Sequence, residues 1–174
     1  AETSEVTVID NRSGGYDRPQ VKGAEYLGFD IADRGNADEL AQACKGASYV
    51  FHLAALPRVQ DSYERPVETA MVNVMGTAMV LDAARKAGVK RVVFASSSAV
   101  YGENGALPLH EDTGLYPMSP YAHHKLMGEQ LCRSFSDEPF IKAYTDLHEL
   151  RGRMLALLKE HLRNETIEFS YLDR

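Results

Sequence analysis

The stretch Arg91-Val92-Val93-Phe94-Ala95-Ser96-Ser97-Ser98-Ala99-Val100-Tyr101-Gly102, together with Ser119-Pro120-Tyr121-Ala122-His123-His124-Lys125, decides the reading of this chain. An apolar, β-branched run empties into three serines, a pattern of a buried strand ending at a polar edge. Ser119 and Pro120 then open a helix, because proline is tolerated in a first helical turn. On that helix Tyr121 and Lys125 are four residues apart and share one face, with Cβ atoms about 5–6 Å apart. An ammonium so placed favours the phenolate and is expected to lower the tyrosine's pKa from about 10, which suits acid/base work near neutrality. A serine at the strand end can bond the same substrate oxygen. Tyr-x-x-x-Lys alone is a weak signal; after Ser-Ser-Ser and Val-Tyr-Gly it is a strong one.

Outward from this stretch, strands and helices alternate. Residues 5–10 form a short strand ending in Asp10, with Asn11, Ser13, Gly14 and Gly15 as loop residues. Residues 24–29 form a second strand ending in Asp30. Asn36 or Asp38 caps a helix carrying Leu40, Ala41 and Cys44, which Gly46 stops. Residues 48–55 read as a third strand, apolar on both faces as in a doubly covered parallel sheet. A long helix runs from Pro66 to Ala87 with Gly88 at its end, residues 91–97 form the fourth strand, and residues 119–135 the next helix. This order predicts an α/β fold with a parallel sheet. Asp10, Asp30, His52-Leu53-Ala54-Ala55 and Ser96-Ser97 then meet at the carboxyl ends of the strands, where such sheets bind ligands.

Composition narrows the function classes. The 174 residues are 44% hydrophobic and 25% charged, enough for one sizeable core. A formal net charge of −6 argues against nucleic acid or an anionic membrane as a partner. Cys44 and Cys132 are far apart and read as reduced thiols, so the cytoplasm is the expected compartment. No apolar run approaches the roughly 20 residues of a membrane span. His123 and His124 have no second cluster to complete a metal site, and His52 reads as a packing residue. The chain begins at Ala1 without an initiator Met and reads as a fragment or a processed chain.

Six segments in order resemble the extended short-chain dehydrogenase/reductase family, in its NAD-dependent nucleotide-sugar epimerase/dehydratase group. They are Val8-Ile9-Asp10-Asn11, Asp30-Ile31, His52-Leu53-Ala54-Ala55, Asn73-Val74-Met75-Gly76-Thr77, Phe94 to Gly102, and Ser119-Pro120-Tyr121 to Lys125. The resemblance implies a Rossmann-like doubly wound parallel sheet with NAD as cofactor and a nucleotide sugar as substrate. Asp10, with Asn11 beside it, would hold the adenosine ribose and repel a 2′-phosphate. Asp30 and Ile31 would flank the adenine, and Leu53, Ala54 and Ala55 would line the dinucleotide. Asn73 would tie down the neighbouring loop. Ser97, Tyr121 and Lys125 match the catalytic residues: Tyr121 takes the sugar hydroxyl proton as hydride leaves, and Lys125 binds the nicotinamide ribose. Ser98 and Ala99 stand where the group's dehydratases carry an acidic pair, so a 4-epimerase resembling UDP-glucose 4-epimerase is favoured over a dehydratase or reductase. Family members are commonly homodimers, with the 66–87 and 119–135 helices at the interface. Met71, Val74, Met75 and Met79 fit that interface and the core equally well.

The chain also departs from the pattern. It holds no Gly-x-x-Gly-x-x-Gly turn to seat a pyrophosphate at a helix N-terminus. Residues 1–10 correspond to the family's second strand, so the sheet is expected to be incomplete, without its first βα unit. In the strand order 3-2-1-4-5-6 that strand is central, and two inner edges are left unpaired. Two domains are expected: a partial NAD-binding unit over residues 1–135, and an extension over residues 136–174. The extension reads as a helix from about 140 to 163 and an edge strand over residues 166–172, and no substrate lobe follows. A cofactor-poor binding or oligomerisation module is the competing reading.

Overall fold

The structure is a computed structural model that describes residues 5–14, 20–103 and 107–136. The expected 136–174 extension lies outside these residues, apart from the last helical position. Strand β1 (Thr7–Ile9) pairs in parallel with β2 (Glu25–Leu27), and β3 (Tyr49–His52) pairs in parallel with β4 (Arg91–Phe94). Among the described residues these make two separate two-stranded sheets. The α/β architecture and parallel pairing follow the sequence expectation, and the break between β1 and β3 falls where a central strand was expected to be lacking. The strands are shorter than the runs over residues 5–10, 24–29, 48–55 and 91–97 read from the sequence.

The helices are α1 (Ala37–Ala43), α2 (Val59–Glu64), α3 (Pro66–Ala70), α4 (Thr77–Ala87) and α5 (Pro120–Ser136). The expected 66–87 helix is present but is not regular. Residues Met71–Gly76, between α3 and α4, widen into a π-helical turn. Pro66 sits in the first turn and Gly88, at φ +70°, closes the end, its N–H reaching the Arg85 carbonyl at 3.1 Å. Asn36 stands at the N-cap of α1 as expected, but its side chain makes no cap bond there. Asp33 instead accepts from the Gly35 N–H and caps the 3₁₀ turn ahead of it, while Asn36 Nδ2 donates to the Asp30 carbonyl. The α2 helix was not foreseen.

One core joins the two sheets. Ile9, Phe29, Ile31, Leu40 and Cys44 from the first half pack against Val80, Leu81 and Ala84 of α4, and on to Val92, Phe94 and Cys132. Each fully buried aliphatic or aromatic side chain here contributes about 1.5–3 kcal/mol. Gly76 allows a close approach: a Cβ there would lie 3.0 Å from Ile31 Cδ1. Contrary to the sequence reading, β3 is not covered on both faces by the described residues. Val50 faces the helices, whereas Tyr49 and Phe51 point the other way and are 43% and 37% exposed.

Candidate active site

The triad residues meet where α5 crosses the end of β4. Beyond β4 the chain turns at Ser97, whose Oγ accepts the Ala99 N–H at 3.2 Å and caps a 3₁₀ turn over Ser98–Tyr101. Gly102 follows at φ +60°, and a Cβ there would stand 2.0 Å from the Tyr116 carbonyl oxygen. Only glycine fits the Val-Tyr-Gly corner. On the helix side, Tyr121 and Lys125 are both buried. Ser97 stands beside the Tyr121 hydroxyl and draws the tyrosine's pKa down against burial. The first turn of α5 is pinned by Ser62, a residue the sequence reading missed: its Oγ accepts the Tyr121 N–H at 3.1 Å and donates to the Val59 carbonyl.

Lys125 Nζ donates to the Ala95 carbonyl at 2.8 Å and lies 4.9 Å from the Phe94 ring centre and 5.9 Å from that of Tyr121. Burial brings its pKa down to about 8. The expected lowering of the tyrosine pKa by Lys125 is not what the structure shows. Burial pushes Tyr121 up, opposed by the neighbouring Ser97, and the ammonium is engaged by Ala95 rather than aimed at the phenol. Ser97, not Lys125, favours the phenolate in this arrangement.

The other candidates fall into two groups. Asp10 and Asp30 hold the loops after β1 and β2: Asp10 Oδ1 accepts the Arg12 N–H at 2.7 Å, Asp30 Oδ1 the Ala32 N–H at 2.8 Å. Asn11 Nδ2 links the loops by donating to Asp30 Oδ2 at 3.1 Å. Asp10 and Asn11 are exposed and Asp30 is half-buried, so one polar cluster lies at that edge. Ile31 is different. It is 7% exposed and packs against Gly76, a core residue more than an open wall. Leu53 and Ala54 are exposed just past β3, and Ala55 is half-buried. Asn73, in the π-helical turn, ties this loop down with Oδ1 accepting the Leu56 N–H at 2.8 Å and Nδ2 donating to the Leu56 carbonyl at 3.0 Å. His52 donates from Nε2 to Thr77 Oγ1 at 2.9 Å, since the Thr77 hydroxyl itself donates to the Asn73 carbonyl at 2.7 Å. Burial, with Lys125 adding to it, lowers His52 to about 3, a neutral packing residue as expected. Among the described residues no His/Cys/Asp/Glu group could hold a metal, and no helix is long and apolar enough to cross a membrane.

The NAD dependent epimerase/dehydratase family profile matches residues 1–145. The chain belongs to that family. The UDP-glucose 4-epimerase of Rhizobium leguminosarum bv. trifolii is 38% identical over 123 residues, 71% of this chain and 37% of that protein. The fold of this epimerase/dehydratase member superposes on UDP-glucose 4-epimerase of Thermotoga maritima, solved with UDP-glucose, at TM-score 0.72 and 31% identity, covering 80% of this chain and 45% of the other. The dTDP-glucose 4,6-dehydratase of Streptomyces venezuelae, solved with NAD bound, gives 0.71 at 28% identity, covering 82% and 45%. The chain thus spans less than half the length of these relatives. Tested against NAD, its residues fit the two ends of the cofactor: the Asp10–Asn11–Asp30 cluster suits an adenosine ribose, and Tyr121 with Lys125 suits the nicotinamide ribose. For the pyrophosphate, residues 1–174 supply no Gly-x-x-Gly-x-x-Gly turn.

Proposed function

We propose that this chain is the dinucleotide-binding and proton-handling half of an NAD-dependent nucleotide-sugar 4-epimerase. The observation that carries the reading is the buried Tyr121–Lys125 pair, with Ser97 beside it at the carboxyl end of β4, in a member of this family. Tyr121 Oη takes and returns the proton of the sugar hydroxyl, and Ser97 orients that oxygen and stabilises the phenolate. Lys125 would hold the nicotinamide ribose and add its charge beside Tyr121. NAD, when bound, supplies the reversible acceptance of hydride. Ser98 and Ala99, in place of an acidic pair, favour epimerisation over dehydration.

Asp10, Asn11 and Asp30 hold the adenosine end in this reading, with Ile31 backing the pocket from the core. Leu53, Ala54 and Ala55 line the dinucleotide on a loop fixed by Asn73. A homodimer is part of the proposal: Val67, Met71 and Met75 recur every four residues and are 76%, 41% and 47% exposed, an apolar stripe suited to a second copy. The test is sugar oxidation with NAD and UDP-glucose, followed by nicotinamide absorbance. Tyr121→Phe should abolish it while leaving NAD affinity nearly intact. Loss of both together would remove the acid/base assignment.

A further inference from the structure

The buried stripe of α5 does not end at Lys125. Tyr121, Lys125 and Glu129 follow one another at intervals of four, and all three are buried, Glu129 at 3% exposure. Each meets a different part of the site's scaffold: Tyr121 N–H bonds Ser62, Lys125 Nζ bonds the Ala95 carbonyl, and Glu129 Oε1 accepts the hydroxyl of Ser96. Ser96 is 6% exposed and directly precedes Ser97. Gly128 makes the last contact reachable. A Cβ there would lie 2.5 Å from Phe94 Cζ, so its absence lets α5 settle onto β4 next to Glu129.

We propose that Glu129 is a positioning residue: by gripping Ser96 it fixes the height of the Ser97 turn against α5, and so holds Ser97 in reach of the Tyr121 hydroxyl. A buried carboxylate is costly without donors, so a helix that carries one is tied to the strand end that supplies the hydroxyl. Glu129 stands two helical turns, about 12 Å, from Tyr121 and does not act on the phenol directly. It acts through Ser96 and the peptide that joins Ser96 to Ser97. This rests on the reading of Ser97 and Tyr121 as the proton-handling pair.

The test uses the ligand-free chain with ¹³C-labelled tyrosine, and follows the Tyr121 ring signal, assigned with Tyr121→Phe, through an NMR pH titration. Among the described residues, the charged group beside Tyr121 is Lys125, which every variant retains. Ser97→Ala should raise the Tyr121 pKa by about half to one pH unit, the size of one lost hydrogen bond to the phenolate. Ser96→Ala should raise it by a comparable amount with the Glu129 side chain left in place. Glu129→Leu should do the same, and Glu129→Gln, which still accepts from Ser96, should stay at the wild-type value. Ser96→Ala is near-isosteric, so the test survives if the Leu variant fails to fold. A wild-type titration in Ser96→Ala, beside a raised one in Ser97→Ala, overturns the positioning role alone. A wild-type titration in Ser97→Ala overturns the Ser97–Tyr121 pair, and the positioning role with it.

Discussion

Replacing Lys125 with methionine separates what this residue does for function from what it does to stability. Burial brings the Lys125 pKa from its ordinary 10.5 to about 8. At about 1.36 kcal/mol per pH unit, that is roughly 3 kcal/mol disfavouring the charged form in the folded state. The folded pKa is the lower one, so between about 8 and 10.5 the unfolded chain binds more protons. Wild-type stability therefore gains on the variant as pH rises through this window, and loses the gain as pH falls through it. Methionine forfeits the charge-assisted bond to the Ala95 carbonyl, about 1.5–3 kcal/mol, which offsets most of the relief at neutral pH. Urea unfolding of both proteins at about pH 7, 8, 9 and 10 cancels the titration of other groups such as Cys132, itself pushed up to about 12 by burial. Near parity is expected at pH 7, with the wild type ahead by about 2–3 kcal/mol at the alkaline end. A difference that stays flat with pH would refute the buried, charge-penalised lysine.

Two further outcomes test the scaffold. Asn73→Leu removes both bonds to the Leu56 peptide, so hydrogen exchange at the Leu56 amide should accelerate at least about tenfold, the equivalent of about 1.4 kcal/mol; unchanged protection there would mean that the loop is held by something else. Gly128→Ala gains helix propensity of about 1 kcal/mol yet should destabilise the protein by about 1–3 kcal/mol. Its Cβ meets Phe94, which is 1% exposed and has no room to yield. A stabilised variant in urea unfolding would show that α5 does not lie against β4 as described.

Much of the fold was legible because it is written in local signals. The Val92-Val93-Phe94 run, Pro66 and Gly88 at their helix ends, and the serine-to-Val-Tyr-Gly corner each carry their conformation in their own chemistry. The break between the β1–β2 and β3–β4 pairs was readable from the order of the strand-like runs. What was not legible depends on contacts between distant segments. The π-helical turn over Met71–Gly76 places Asn73 against Leu56 and Gly76 against Ile31, and no helical periodicity announces either contact. Ser62 matters only because α2 passes the start of α5. The pKa of Tyr121 depends on which partner Lys125 takes, and spacing alone suggested the wrong one. Glu129 had a weak signal: it continues the Tyr121–Lys125 spacing, and a glycine precedes it in mid-helix, where glycine costs about 1 kcal/mol unless close packing requires it.

The most direct test of the proposed function is a titration of the chain with NAD, read by thermal shift and tyrosine fluorescence. A saturable response with Kd below about 1 mM, a binding free energy of at least about 4 kcal/mol, is predicted from the partners at the two ends of the cofactor. Lys125→Met should weaken it, and Tyr121→Phe should not. No saturable response in that range would contradict the enzyme reading and leave a cofactor-free binding or oligomerisation module on the family's fold.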